Sequence, residues 1–590
     1  MDSESGDAIK REAEIDVKRP RLDDESVGAI TSSNNEDGIA VGTLSTSENV
    51  AAAPESNPQA IPEPSADRTA EPKEEEAGNE DSTEGKGKGK KRPPRRTAER
   101  TKEYKGRGRG GRAPSYRDKN QDKPREVSLG PDGEELPKAM RLPKRQCALL
   151  LGFCGSGYNG MQVQPEHSNT KTIEGTLFKA LVKVGAVSQD NADNPVKVNL
   201  ARAARTDAGV HAAGNVVSLK MIMDIPGVDD LVTKINDELP PEIRLWGYVR
   251  TQNSFNARMI CESRKYTYYF PTYLLIPPKP TSNFYRIWSE NVKSSEGADS
   301  APSISYEFWE GHDNSTKEED MARKRAWRIN PEQVEQLRLL VKRYEGTHNF
   351  HNFTVARDFT DRSNNRFMRK IEVSDPVVYG ETEWISVLFH GQSFMLHQIR
   401  KMMAILVLSC RMGTPPRVIS ELYGQRSVFV PKMPSLGLLL EEPLFDSYNQ
   451  RMGVINEKLK PTDPEYRPLI DFDQYRDQIN AFKEKFIYTN MRQVEDRDGL
   501  FDAWVRMIDA YAGNDLLYLN PSGAVPDAAV IVKGARRENP FREKKIFDTT
   551  SFPENGGIRK KLEESEDVDM DANEEEEEVL DKKQLAETEG

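Results

Sequence analysis

The run Cys147-Ala148-Leu149-Leu150-Leu151-Gly152-Phe153 restricts the fold more than any other feature. Its length and near-continuous apolar character suit a buried strand. Gly155-Ser156-Gly157-Tyr158-Asn159-Gly160 follows at once, and three glycines in six residues make a turn. Folded character therefore begins near Lys144. Residues 1–85 are rich in Ser, Glu, Asp, Ala and Pro, show no sustained hydrophobic period and read as disordered.

Charge is distributed unevenly, and this decides how the net value of -12 is read. Residues 86–112 carry 13 Lys or Arg and two Glu, whereas residues 562–590 carry 14 Asp or Glu and two Lys. Much of the acidity thus lies in a tail. Lys18-Arg19-Pro20-Arg21 and Lys88–Arg96 are short basic clusters of the kind used for nuclear import or nucleic-acid contact. Arg107-Gly108-Arg109-Gly110-Gly111-Arg112 is RGG-like, a cationic stretch able to track an RNA backbone. A plain solvated linker is the competing reading of all three.

Four scattered cysteines, Cys147, Cys154, Cys261 and Cys410, do not make a disulfide framework and point to a reducing compartment. No apolar run approaches the roughly 20 residues of a membrane helix, and the amino terminus lacks a signal-peptide core. A soluble intracellular protein without a membrane partner is expected, with the nucleus as its compartment.

Thr172 can cap a helix carrying Ile173, Leu177, Leu181 and Val184 at helical spacing. Val196, Val198 and Leu200 alternate with polar residues, as do Val217, Leu219 and Met221, predicting two half-buried strands. Between them Arg202–Gly214 is a loop, which places Asp207 on a loop held by a sheet. Arg264–Phe270 is a further strand, with Tyr266, Tyr268 and Phe270 on one face. Residues 276–325 are rich in Pro, Ser and charge and read as an insertion. Asn330 caps a helix with Pro331 at its first position. Trp384–Phe389 is a buried strand, and the helix after Gly391 carries Arg400 in its first turns. Strands alternating with helices indicate an α+β fold.

Six motifs occur in series: Gly155–Gln162, Thr172–Gly175, Ala204-Arg205-Thr206-Asp207-Ala208-Gly209-Val210-His211-Ala212, Phe255-Asn256-Ala257-Arg258, Arg264-Lys265-Tyr266-Thr267-Tyr268 and Phe394-Met395-Leu396-His397-Gln398-Ile399-Arg400. In this order the chain resembles the TruA class of tRNA pseudouridine synthases over roughly residues 145–446. Gly346–Thr354, the insertion, the basic arm and the extension past 446 resemble its eukaryotic branch, tRNA pseudouridine synthase 1. Cys154 and Met161 depart from the bacterial pattern, where Asp and Trp are usual.

The resemblance implies two ferredoxin-like halves with antiparallel sheets around a central RNA-binding cleft. It divides the chain into an arm (1–143), an amino-terminal half with the catalytic loop (144–275), the insertion (276–329), a carboxy-terminal half (330–446), a helical extension (447–540) and a disordered acidic tail (541–590). It implies Asp207 as a nucleophile attacking C1′ or C6 of the target uridine. Arg400 would be its ion-pair partner, and Tyr266 would stack on the uracil and be available as a base. Arg205, Arg258 and His211 would contact RNA, Arg205 by entering the space of the flipped base. An isolated Asp-Ala-Gly is ordinarily a turn, an isolated helical Arg a surface residue and a strand Tyr a core residue; the six motifs together favour the site.

Isomerisation needs neither redox cofactor nor energy source. His348 and His351, three apart, raise the question of zinc, which the eukaryotic branch allows; no third ligand stands at motif spacing. Implied partners are tRNA, notably the anticodon stem, with U2 small nuclear RNA and messenger RNA as further substrates of a monomeric enzyme. Two other classes compete. One is an RNA-binding or RNA-folding protein that kept the fold without activity. The other is an interaction protein working through arm and tail, which activity in a fragment of residues 140–450 would exclude.

Overall fold

A computed structural model describes residues 142–163, 170–294 and 306–548. The basic arm with its RGG-like stretch and the acidic run of 562–590 lie outside the described residues. Among the described residues ten strands form one sheet: β1 (Lys144–Phe153), β2 (Ala201–Arg202), β3 (His211–Ile222), β4 (Ile243–Arg250), β5 (Ser263–Pro271), β6 (Gly346–Asn349), β7 (Asn365–Val373), β8 (Val377–Tyr379), β9 (Thr382–Gly391) and β10 (Leu438–Leu444). Their order is β4-β1-β3-β10-β5-β9-β7-β6, with β2 on β3 and β8 on β9.

Strand β10 is the seam. It runs parallel to β3, pairing Leu439 with His211, and antiparallel to β5, pairing Leu440 with Tyr266. Every other pairing is antiparallel. Leu438, Leu439 and Leu440 are all buried, as a central strand covered on both faces demands. The result is a mixed α+β fold with a large, mostly antiparallel sheet.

Local signals account for most elements. Thr172 Oγ1 accepts the Gly175 N–H and opens the helix Ile173–Val184. Asn330 and Gln333 make a reciprocal capping box at the helix Pro331–Lys342, whose Val334, Leu337 and Val341 are buried, as is Tyr344 beyond its end. The helix Gln398–Arg411 is buried along its whole length, the mark of a helix enclosed by protein on every side.

Two expectations fail here. Val196, Val198 and Leu200 do not form a strand. Pro195 lacks an N–H and sits at the first position of a 3-10 turn, Pro195–Val198, which ends at Asn199 in the left-handed region; Val196 is 75% exposed. Strand pairing begins only at Ala201. Strand β3 is buried on both faces rather than one, with Ser218 fully buried and its Oγ accepting the Ala257 N–H at 3.0 Å.

The covering layer comes from the carboxy-terminal extension. Phe472 lies against Gly214, Tyr475 against Gly247, and Phe482 meets Trp246 edge-on at 5.3 Å. The segment read as an insertion packs on the same extension. Its Lys324 pairs with Asp502 at 2.8 Å, and Asn283 donates to the Ala510 carbonyl at 3.2 Å. Residues 541–548, assigned to a disordered tail, are folded: Phe541 and Phe547 are buried, and Phe541 stacks on Phe429 at 4.9 Å.

Candidate active site

The loop from Ala203 to Val210 is tied down from several directions. Asn215 accepts the N–H groups of Ala204 and Val216 and donates to the Ala204 carbonyl. The Arg264 guanidinium donates to the Ala203 carbonyl at 3.2 and 2.8 Å and to the Gln392 carbonyl at 2.9 Å. Beneath lies the glycine-rich turn. A Cβ on Gly155 would stand 2.0 Å from the Val210 carbonyl oxygen, and one on Gly160, at φ +83, 2.8 Å from that of Thr206. The first motif therefore builds the floor of the third, because only glycine lets the two backbones come so close.

Asp207 projects from this loop into a pocket shared with Arg205, Tyr266, Phe394, Met395 and His397. Its Oδ2 lies 2.8 Å from His397 Nδ1 and 3.8 Å from Arg400 Nη1. Burial alone would raise the carboxyl; the imidazole of His397 and the guanidinium of Arg400 outweigh it and hold Asp207 below its ordinary value. An ionised carboxylate only accepts, so His397 Nδ1 carries the donated proton. His397 takes φ +59, a conformation uncommon for a residue with a Cβ, immediately before the helix Gln398–Arg411. Such backbone persists where its surroundings hold it, and here it turns the ring toward Asp207.

Arg400 is 0% exposed. Its Nε donates to the Met433 carbonyl at 2.6 Å, and its Nη2 to the Phe547 carbonyl at 3.1 Å and to Asp548 Oδ1 at 2.7 Å. The expected ion pair with Asp207 is present, but its contact is longer than a hydrogen bond, and Arg400 is shared with the Met433 and Phe547 carbonyls and with Asp548. Lys432 Nζ completes the array, 2.9 Å from Asp548 Oδ2.

Tyr266 is buried on β5 and meets Phe394 edge-on at 5.2 Å. Burial pushes its phenol well up, only partly offset by Arg264, so the hydroxyl keeps its proton at neutral pH. Tyr268 is a core residue, donating to the Pro434 carbonyl at 2.6 Å. Arg205 lines the pocket, and its charge acts on Glu174, which Arg202 already holds at 2.8 Å. Arg258 follows the Asn256 cap of the short helix Ala257–Ile260 and adds its charge beside Arg202. It does not line the pocket.

His211 is not placed to touch RNA, contrary to expectation. It is fully buried, its Nδ1 accepts the Gly155 N–H at 3.0 Å, and its Nε2 faces the Leu436 carbonyl at 3.1 Å. Burial pushes it down to about 4, so a neutral ring staples the glycine-rich turn to the approach of β10. The zinc reading does not fit either. His348 stacks on Tyr423 at 4.3 Å and its Nε2 meets the Glu345 carbonyl. No group of three or more His, Cys, Asp or Glu side chains assembles a metal site among the described residues.

Sequence reasoning missed His397 and Asp548. The first stands within a quoted motif, three residues before Arg400, where a helix start and a ligand-like side chain were the available signals. The second carries no local signal.

The chain matches the tRNA pseudouridine synthase family over residues 340–446, a span that contains His397 and Arg400 but neither aspartate. It is 42% identical over 434 residues to tRNA pseudouridine synthase 1 of Candida albicans, covering 65% of this chain and 69% of that one. With tRNA pseudouridine synthase 1 of Kluyveromyces lactis it shares 39% identity over 461 residues, 72% of this chain and 79% of the relative. The tRNA pseudouridine(27/28) synthase of Saccharomyces cerevisiae is 36% identical over 392 residues, 62% of this chain and 99% of its own. The chain belongs to the TruA-type family of tRNA pseudouridine synthases.

Proposed function

We propose that this chain isomerises uridine to pseudouridine in tRNA, with Asp207 as the nucleophile. The observation that carries the reading is an ionised carboxylate held in a pocket by His397 and Arg400, beside the buried ring of Tyr266. Asp207 bonds to C1′ or to C6, the C1′–N1 bond breaks, the uracil turns, C5 bonds to C1′, and the Asp207–carbon bond then breaks to return the free carboxylate. The proton lost from C5 balances the one gained at N1, so product and substrate are isomers. Nothing is oxidised or hydrolysed overall, and the chemistry calls for no cofactor.

Under this reading Tyr266 and Phe394 enclose the uracil. The raised phenol favours stacking over direct deprotonation: to take the C5 proton, Tyr266 must pass on its own. Arg205 and Arg258 grip the RNA, Arg205 from the pocket rim where a flipped nucleotide leaves its stack. The two sides of the β10 seam correspond to two ferredoxin-like halves, with RNA held across them mostly through backbone and shape. The name of the Saccharomyces cerevisiae relative supports targets at positions 27 and 28 of tRNA, in the anticodon stem. Small nuclear and messenger RNA are further substrates of the same site, in the nucleus and by a monomer.

The purified full chain is expected to release tritium from unmodified tRNA bearing 5-tritiated uridine, in chelator and without nucleotide. Mapping the product should place pseudouridine in the anticodon stem. Release that depends on an added metal or nucleotide would contradict the reading.

A further inference from the structure

The carboxy-terminal strap from Phe541 to Asp548 reaches the back of the site and ends on Arg400. Phe541 stacks on Phe429, Glu543 accepts the Lys432 N–H at 2.7 Å, and Ser435 Oγ donates to the Asp548 carbonyl at 3.1 Å. Three contacts thus lay the strap along residues 429–435. Its last described residue puts one carboxylate oxygen on Arg400 at 2.7 Å and the other on Lys432 at 2.9 Å.

We propose that Asp548 is a positioning residue for the reaction, supplying the fixed counter-charge that holds Arg400 in place while Asp207 gives up its own charge. The inference rests on the reading of Asp207 as nucleophile. When an Asp207 oxygen bonds to carbon, the carboxylate becomes an uncharged ester. For attack at C1′ the C1′–N1 electron pair leaves on uracil N1; for attack at C6 the C5–C6 π pair moves into the ring carbonyl system. In either route the negative charge passes from Asp207 to the uracil. Arg400 is 0% exposed, and a buried guanidinium stripped of its partner carries a large desolvation penalty. Asp548 keeps it paired throughout.

The same geometry protects the nucleophile. The short hydrogen bonds of Arg400 go to Met433, Phe547 and Asp548. Its Nη1 makes no hydrogen bond and stands 3.8 Å from Asp207 Oδ2. The ion pair therefore favours the ionised carboxylate without a guanidinium proton tying up the oxygen pair that must attack. The titratable groups around the pair are His397 beside Asp207, and Lys432 with Glu543 beside Asp548.

The test uses the full chain in single-turnover tritium release from unmodified tRNA, with tRNA affinity and thermal midpoint measured in parallel. Asp548→Asn keeps the shape and removes the charge. It is expected to slow release by about tenfold or more while tRNA affinity is unchanged. Asp548→Ala opens a space that solvent can reach, the Asp548 side chain itself being 24% exposed; added formate should restore much of its rate, and uncharged formamide should not. An Asp548→Asn rate equal to wild type overturns the inference. So do rescue by formamide as strong as by formate, and unfolding of both variants, either of which makes Asp548 an anchor of the fold. Asp207→Ala separates the two levels: inactive Asp207→Ala with unaffected Asp548→Asn removes only this inference, whereas active Asp207→Ala removes the nucleophile reading beneath it.

Discussion

At the scale of residues, the site is a problem of keeping a half-buried carboxylate charged. Asp207 would rise on burial, and His397 at 2.8 Å is the closest of the groups that reverse this. The sign for pH follows. A carboxyl held below its ordinary 3.8 stays ionised as the medium is acidified to that value, so the rate should show no acid limb through the ordinary carboxylate range. Removing the imidazole lets burial dominate, and the limb moves to higher pH. His397→Asn is the informative change, because asparagine tolerates the left-handed backbone at this position. Its rate near neutrality is expected to fall by about ten- to a hundredfold, with tRNA affinity retained; a pH profile identical to wild type would contradict the role.

At the scale of elements, glycine-rich turn, catalytic loop and seam strand behave as one unit, stapled by His211. Gly155 stands where a Cβ would meet the backbone of Val210 at 2.0 Å, and backbone cannot rotate away as a side chain can. Gly155→Ala is therefore expected to cost about 1–3 kcal/mol in a denaturation curve and to depress tritium release, since the loop that yields carries Asp207. The elements themselves were largely legible. Strands β1, β3, β5 and β9 announce themselves by composition, and the helices after Thr172 and Asn330 by their caps, because these signals act over a few residues. Residues 195–200 misled, since alternation cannot distinguish a strand from a proline-initiated 3-10 turn. What pairs with Asp207 was legible only in part. Arg400 came from resemblance, while His397 and Asp548 meet the site across 190 and 341 positions of chain, and only the tertiary fold brings them there.

At the scale of the whole molecule, the extension past β10 is part of the synthase rather than an appendage. It covers β3 and β4 through Phe472, Tyr475 and Phe482, anchors the segment read as an insertion, and delivers Asp548. A fragment of residues 140–450 therefore lacks both this cover and the counter-charge. It is expected to expose apolar surface, to bind a hydrophobic dye and to release no tritium. A fragment of residues 142–548 is expected to fold cooperatively and to remain active. An active, cooperatively folded 140–450 fragment would show that the extension is dispensable.

The central claim is that Asp207 is the nucleophile. Single-turnover tritium release by Asp207→Ala, measured beside its affinity for the same tRNA, tests it most directly. The expected result is a rate lowered by more than about a thousandfold with binding preserved. Release at the wild-type rate from a folded Asp207→Ala protein would contradict it.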